Sequence, residues 1–511
     1  MHIAFRADAS AKIGTGHIMR CLTLADLLSQ YYQSRQSNNV PRLMISFLSA
    51  PLPQSLQQKI ITAGYHYREL KLDKHDHSQE HDASCCHTLL KRLPKINLLI
   101  VDHYQLAKKW QQLLTADFDK IMVIDDLANR QHQCDYLLDQ TFARRSQDYQ
   151  PYVNSHCLTF IGQHYILLRD EFLSAVKTAE KRRASTEKID NILVTMGGMD
   201  EDNASTTIIN YLIALRTQEQ LSFNVTIVLG SQAPNLASLM ALIEPYQWIT
   251  LQIDSNSMAQ LMLSADLAIG ASGTTAWERC SLGLPTLVVI MADNQNLVAS
   301  NLAKQGAVIN LGDFQSLSYF KLEQAFLQLT ASPKAYQTLV RQCFDTIKQS
   351  KVSTMLDIIM TSIKLAPATN DDKDIIFSWQ SNPDIRRFSR NNQAIPYQEH
   401  CQWFSQAIAD QTRHIYLIQQ CSSSEQAKNA GMIRFDEINA REVEVSILVA
   451  PDMQGKKVAL RALFATPKIF KQKTIHAYVH PDNIASQHLF RSANYRQIAD
   501  DHFILSSENN Q

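Results

Sequence analysis

Gly14, Gly16, His17 and Arg20 fall close together in "RADASAKIGTGHIMRCLTLADLL", residues 6–28. Glycines let a backbone come close to a ligand, a helix start offers unpaired N–H groups, and a neutral imidazole takes a proton from water near pH 7. A second group, Gly270, Ser272, Gly273, Thr274 and Thr275, follows a strand pattern, with Glu278 one turn further on. Backbone N–H groups and hydroxyls suit a diphosphate there, and a carboxylate suits the two hydroxyls of a ribose. "MADNQNLVA" adds Asp293, Asn294 and Gln295, whose amides suit sugar hydroxyls or N-acetyl groups. Each feature has a plainer reading: His17 capping or packing on its helix, a glycine-rich helix entry serving close packing, a solvated polar loop. His75, His77, His81, Cys85, Cys86 and His87 form a third group, in a polar connector without zinc-site spacing. A solvated insertion is favoured there and no metal is expected.

These residues need strand ends to hold them. "HIAFRADAS" reads as a short apolar strand and "HIMRCLTLADLLSQYY" as a helix, followed by strands in "RLMISFLSA", "INLLIVDHY" and "KIMVIDDLA" with helical "SLQQKIITAG" and "AKKWQQLLTAD" between them. Apolar strands alternating with helices imply a parallel sheet covered on both faces, with ligands beyond the carboxyl ends of the strands. The polar "KTAEKRRASTEK" reads as a linker or helix end, after which the pattern restarts with "NILVTMGGMD", "NVTIVLGS", "ITLQID", "ADLAIGASG" and "PTLVVI". A different, α+β-like pattern begins near Lys364, and "CSSSEQ" reads as a loop. The expected fold is α/β, with two Rossmann-like doubly wound domains (residues 1–178 and 179–362) and an α+β domain (residues 363–511).

With 511 residues, 45% of them hydrophobic, the chain is too long for one core. Forty-nine basic residues balance forty-nine acidic ones without a basic stripe, which argues against nucleic acid or an anionic membrane as partner and for a small substrate. No basic, apolar leader and no apolar run near the roughly 20 residues of a membrane span is present, so a cytoplasmic location is expected. Nine cysteines without paired spacing fit reduced thiols. No oligomeric state is specified.

The opening stretch, with "IVDHY" (Asp102–Tyr104), "IDDLANR" (Asp125–Arg130), "DYLLDQ" (Asp135–Gln140) and "YILLRDEF" (Tyr165–Phe172), resembles the UDP-2,4-diacetamido-2,4,6-trideoxy-β-L-altropyranose hydrolases of pseudaminic acid biosynthesis. That family looks like two-Rossmann, GT-B-like glycosyltransferases, and the resemblance spans roughly the first 360 residues. It implies that His17 is the catalytic histidine, that Asp8, Tyr104 and Asn294 line the same cleft, and that Gly197 and Gly198 of "NILVTMGGMD" lie near the phosphates. It likewise makes Glu278 the expected ribose ligand. The expected reaction is water attack at the anomeric carbon with His17 as base, releasing UDP and the free sugar; the resemblance adds inversion and a place in flagellin glycosylation. Arg20 is read as an electrostatic or packing support within the UDP-sugar site.

From Lys364 the chain resembles acetyl-CoA-dependent GNAT N-acetyltransferases, in "LAPATNDDKDIIFSWQSNPDIRRFS", "VEVSILVAPDMQGKKVALRAL" and "HPDNIASQHLF". "W...NP.IR" and "YQEHCQWF" look most like enzymes acting on 4-amino UDP-sugars. The resemblance implies an acetyl-CoA co-substrate held by Gln454, Gly455, Lys456, Val458, Ala459, Asn483 and Ser486, with strand "VEVSILVAP" splayed from its neighbour. Three departures stand against it: Lys457 replaces a glycine of the pyrophosphate turn, Phe490 replaces a thiolate-protonating tyrosine, and Pro467 should interrupt the following helix. Glu442 and Glu444 flank the expected substrate cleft or face solvent. Three functions fit: a bifunctional acetyltransferase and UDP-sugar hydrolase, a GT-B glycosyltransferase using a UDP-sugar donor, and a non-catalytic nucleotide-sugar-binding regulator, which would not need His17; for the third domain, the alternative to acetyl transfer is a decayed or purely structural role.

Overall fold

The computed structural model describes residues 1–9, 14–35, 43–73, 75–389, 391–422, 427–470 and 472–506. Most of the loop read at "CSSSEQ" lies outside the described residues. Two compact units result: residues 1–30 with 43–352, and residues 31–35 with 353–506.

The first unit holds two parallel sheets. In the first, β1 (His2–Ala7), β2 (Met44–Ser49), β3 (His66–Glu69), β4 (Ile96–Asp102), β5 (Phe118–Ile124), β6 (Tyr136–Asp139) and β7 (Leu158–Ile161) lie in the order β3-β2-β1-β4-β5-β6-β7. In the second, β8 (Asn191–Thr195), β9 (Asn224–Leu229), β10 (Ile249–Ile253), β11 (Leu267–Ala271), β12 (Thr286–Ile290) and β13 (Ile309–Asp313) lie in the order β10-β9-β8-β11-β12-β13. Both are doubly wound, and each reverses direction once, between β1 and β4 and between β8 and β11, which is where such sheets bind ligands. Strands β1, β4, β11 and β12 are apolar almost throughout because helices cover both faces. Ala7 pairs with Asp102 and Thr195 with Gly270, so both reversals bring candidate site residues to adjacent strand ends.

Helix Asp170–Ala184 runs through the boundary expected at 178, and the stretch read as a linker or helix end is its last turns. Arg183 is fully buried there and donates to the carbonyls of Met262, Ala265 and Leu282, while Arg182 reaches Asp266 at 2.7 Å. This end of the helix therefore packs against the ends of helices Met258–Ser264 and Thr275–Ser281, which belong to the second half. The connector expected around Cys85–His87 is also helical: Gln79–Leu90 buries Asp82, Ala83, Cys86 and Leu90, and Ser78 caps it by accepting from His81 N. Asp82 and Asp8 clasp the buried Arg6 guanidinium at 2.5 Å each, and Trp110 Nε1 donates to Asp82 at 2.8 Å.

The second unit carries β14 (Thr361–Pro367), β15 (Arg413–Ser422), β16 (Lys428–Asn439), β17 (Glu442–Val449), β18 (Thr474–Tyr478), β19 (Arg496–Ala499) and β20 (His502–Leu505), in the order β14-β15-β16-β17-β18-β20-β19. All neighbours are antiparallel except β17 and β18. Those two pair only from Glu442–Thr474 to Glu444–His476 and then part, as the splay expectation required. Pro467 does not break its helix, which runs Val458–Ile469. Proline has no N–H for the carbonyl four residues back, but Thr466 Oγ1 donates to that carbonyl, of Leu463, at 2.7 Å.

Candidate active site

His17 lies in the first turn of helix Gly16–Ser34, directly beyond the end of β1. Gly14, at φ +75°, makes the turn before it. A Cβ built on Gly14 or Gly16 would meet nothing within 4 Å, so neither glycine is required by packing and both leave room above the sheet edge. The His17 ring is 6% exposed. Its Nδ1 lies 2.5 Å from Asp102 Oδ1, on a carboxylate delivered by the end of β4. In the tautomer that donates this bond, the lone pair sits on Nε2, as a general base requires. Burial alone would raise the Asp102 carboxyl, but Arg20 and His17 outweigh it and hold it well below the usual carboxylate range.

Arg20 is the second arm on the same carboxylate: Nε donates to Oδ2 at 2.8 Å and Nη2 to Oδ1 at 2.7 Å. Its remaining nitrogen, Nη1, points to Asp126 Oδ2 at 3.4 Å. Arg20 is thus occupied by Asp102 and Asp126. Tyr104 donates to the same Asp126 oxygen at 3.3 Å and meets the His17 ring edge-on, with centroids 4.7 Å apart. Burial and then Asp126 push its phenol upward, so it remains a protonated donor. Asn294, exposed and just past β12 of the second sheet, donates from Nδ2 to the Tyr104 hydroxyl at 3.0 Å. His17, Tyr104 and Asn294 are therefore brought together as expected.

Asp8, expected in the same cleft, is held by four residues at the strand ends. Its oxygens accept from Arg6 at 2.5 and 2.9 Å, from Ser49 Oγ at 3.0 Å and from Ala50 N at 2.8 Å, and His103 Nε2 stands at 3.3 Å. So many donors leave it to fasten the strand ends of β1, β2 and β4. Burial would raise its carboxyl, yet Arg6 and His103 hold it far below the ordinary range.

At the second reversal, a Cβ on Gly197, Gly198 or Gly273 would also meet nothing within 4 Å. Gly197 has φ +113°, which an L side chain rarely adopts. Thr274 is exposed beside them, and Thr275 Oγ1 accepts from Arg279 Nη1 at 3.2 Å. Ser272 is buried, and its Oγ has no hydrogen-bond partner. Gln295 turns its amide oxygen to Ser272 N (3.3 Å) and Met291 N (3.1 Å), bracing the turn where a sugar contact was expected. Glu278 gives Oε1 to Arg169, while Oε2 is buried without a hydrogen-bond partner. Burial raises the Glu278 carboxyl above its ordinary value in spite of Arg169. Asp126 and Arg169 carry this geometry unnoticed at the level of sequence, although both lie inside quoted motifs; Arg279 had no such signal.

In the C-terminal unit, Gly455 (φ +75°) and Lys457 (φ +54°) shape the turn that precedes helix Val458–Ile469. Lys457 takes a left-handed conformation, which glycine adopts without strain. Gln454 is exposed, Lys456 Nζ lies 3.7 Å from Met453 Sδ, Val458 is buried and Ala459 half-buried. Asn483 caps helix Ile484–Ser492 by accepting from Ser486 N at 3.0 Å. Phe490 is buried edge-on against Tyr495, with centroids 5.0 Å apart, and offers no hydroxyl. Glu442 and His476 approach to 3.6 Å within the short β17/β18 seam, and Glu444, on the same face as Glu442, pairs with His476 at its last position.

Among the described residues, no group of three or more His, Cys, Asp or Glu side chains is placed to hold a metal. His81 Nε2 accepts from Asp73 N, and His87 faces Asp117 at 2.7 Å. No described helix is long and apolar enough to cross a membrane.

Residues 191–355 match the glycosyltransferase family 28 C-terminal domain, and residues 362–496 match the acetyltransferase (GNAT) domain. The chain is 28% identical over 309 residues to the UDP-2,4-diacetamido-2,4,6-trideoxy-β-L-altropyranose hydrolase of Campylobacter jejuni, covering 60% of this chain and 97% of that protein. An uncharacterized protein of Methanocaldococcus jannaschii is 22% identical over 509 residues, 97% of each chain. A spore coat polysaccharide biosynthesis protein of Bacillus subtilis, SpsG, is 26% identical over 319 residues, 61% of this chain and 84% of that one. The architecture is a fusion: a hydrolase-like, GT-B-like pair of Rossmann sheets followed by a GNAT domain.

Proposed function

We propose that this chain is a bifunctional nucleotide-sugar enzyme of the cytoplasm, which hydrolyses UDP-2,4-diacetamido-2,4,6-trideoxy-β-L-altropyranose and acetylates its 4-amino precursor with acetyl-CoA. The observation that carries the hydrolase reading is the Asp102–His17 pair at the β1/β4 reversal, which aims a base from a sheet edge kept open by Gly14 and Gly16. Water is deprotonated by His17 Nε2 as its oxygen attacks the anomeric carbon. The bond from that carbon to the β-phosphate oxygen breaks with inversion, and UDP leaves as the anion. Tyr104 and Asn294 hold the sugar, and the turns at Gly197–Gly198 and Ser272–Thr275 stabilise the charge developing on the diphosphate. Glu278 receives the ribose.

In the acetylation, which precedes hydrolysis, the neutral sugar amine attacks the thioester carbonyl of acetyl-CoA held in the β17/β18 splay, the carbon–sulfur bond breaks, and the nitrogen gives up a proton to solvent. Phe490 supplies no proton, so the thiolate is protonated from solvent. The match to a glycosyltransferase family favours one alternative, transfer of the sugar to an acceptor hydroxyl instead of water.

Mass spectrometry of the purified chain with the 4-amino UDP-sugar and acetyl-CoA, run beside the already acetylated UDP-sugar, tests all of this. Free diacetamido sugar and UDP from both mixtures are expected. Product from the acetylated sugar alone would remove the acetyltransferase half of the reading. Product from neither would remove the hydrolase and leave the glycosyl transfer.

A further inference from the structure

Three arginines, Arg6, Arg183 and Arg279, rank among the fully buried large side chains of the described residues, and they differ in what answers their charge. Arg6 lies between the carboxylates of Asp8 and Asp82. Arg183 donates to three carbonyls, two of which, Ala265 and Leu282, stand where short helices end and their dipoles are negative. Arg279 has neither arrangement. Its Nη2 donates to Ala271 O at 2.6 Å, Nη1 reaches the hydroxyls of Thr195 and Thr275 at 3.2 Å each, and Nε has no partner. No carboxylate among the described residues is within ion-pair distance. The adjacent Glu278 gives Oε1 to Arg169 instead. Burial accordingly lowers the Arg279 guanidinium to about 10.

A buried cation without a counter-charge is costly, so its position requires a reason. Its three acceptors are the last residue of β8, the last residue of β11 and the first residue of helix Thr275–Ser281, which frame the reversal of the second sheet. Gly270 is what admits it: a Cβ there would stand 2.8 Å from Arg279 Nη1. In the turn after β11 and in the helix that carries Arg279, Ser272 Oγ and Glu278 Oε2 are also buried without a hydrogen-bond partner. Ser272 Oγ and Glu278 Oε2 mark a place completed by something polar from outside the chain, and the uncompensated charge of Arg279 lies beside it.

We propose that Arg279 is the positive pole of a diphosphate subsite, a buried charge balanced by the two phosphates of a nucleoside diphosphate seated on the Gly197–Gly198 and Ser272–Thr274 turns. It does not touch the ligand. It acts through the Ala271 carbonyl and the two threonine hydroxyls that it orients, and through its field, which the low-dielectric interior screens weakly. This inference rests on the nucleotide-sugar reading above, and it makes Arg279 a positioning residue.

The test is titration of the full chain with UDP and with uridine, in wild type and in Arg279→Met, beside the melting temperature without ligand. Methionine removes the charge and keeps an extended apolar chain. The expected result is UDP binding weakened by about tenfold or more, uridine binding unchanged within about twofold, and ligand-free melting that does not fall. Equal losses for UDP and uridine, or no loss for UDP, would overturn the inference. If Arg279→Met does not fold, Arg279→Lys and Arg279→Gln carry the same comparison: lysine retains most of the preference for UDP over uridine and glutamine loses it, and equal behaviour of the two overturns it. A folded wild type that binds no UDP removes the nucleotide-sugar reading itself, an outcome separate from either of these.

Discussion

Arg169 Nε and Nη2 both end on a single oxygen of Glu278, at 3.0 and 2.8 Å, across 109 residues of chain. Arg169 immediately precedes helix Asp170–Ala184, and Glu278 lies in the helix after β11, so one ion pair ties the segment following the first sheet to the turn of the second. It leaves Oε2 without a hydrogen-bond partner, the acceptor that the proposed ribose contact would use.

Glu278 should therefore make nucleotide binding sensitive to acid. Its folded carboxyl lies above the usual 4.5, so protonation begins at a higher pH than for an exposed glutamate. Only the ionised form accepts both ribose hydroxyls, so UDP affinity should fall as pH drops from neutral toward that raised value. Calorimetric titration across this range should show the fall in wild type and a flatter profile in Glu278→Gln.

Asp102→Asn tests the orientation of His17. An amide can present its N–H to Nδ1 and so favour the wrong tautomer, with the fold intact. We expect the rate of UDP release to drop by about a hundredfold or more while UDP binding is retained. The same carboxylate enters acid stability. Because its folded value lies below its unfolded 3.8, its stabilising contribution is fully present above pH 4 and is lost only as pH falls lower still. The Asp102→Asn variant should lack that strongly acidic component in pH-dependent unfolding.

Asp82→Ala removes one of the two counter-ions of Arg6 and the acceptor of Trp110 Nε1. Breaking a buried pair from one side costs about 3–5 kcal/mol. Denaturant unfolding of the first unit should shift by that amount, with Asp82→Asn, which retains an acceptor, less affected.

Lys457→Gly addresses the left-handed turn before helix Val458–Ile469. Relief of a side chain at φ +54° is offset in part by the extra freedom of glycine when unfolded, for a net gain of about 1 kcal/mol or less. The melting transition that coenzyme A raises should move upward slightly, and coenzyme A affinity should not fall.

The apolar strands that carry the site were legible because burial on both faces leaves continuous hydrophobic runs, as in "INLLIVD" and "TLVVI". Strand β3, with three of its four residues exposed at a sheet edge, offers no such run. Strands β6 and β7, four residues each, are too short to show a period. His17, Tyr104 and Asn294 were recognisable by residue type and motif. Asp102 as the partner of His17 was not, because 85 residues separate them and only the adjacency of β1 and β4 closes the gap. The neighbours that hold Asp8 were hidden for the same reason, since Ser49 and Ala50 come from the end of β2, 41 and 42 residues away.

The brief pairing of β17 with β18, three residue pairs long, also divides the sheet of the second unit mechanically. Strands β14 to β17 hold together through long antiparallel ladders, whereas β18, β20 and β19 join them through that one short seam. In hydrogen exchange the two groups of strands would open as separate cooperative pieces, with the seam as the weakest joint. A cofactor lying along both of its edges would then act as a splint, and exchange protection would spread across the whole sheet only when the splint is in place.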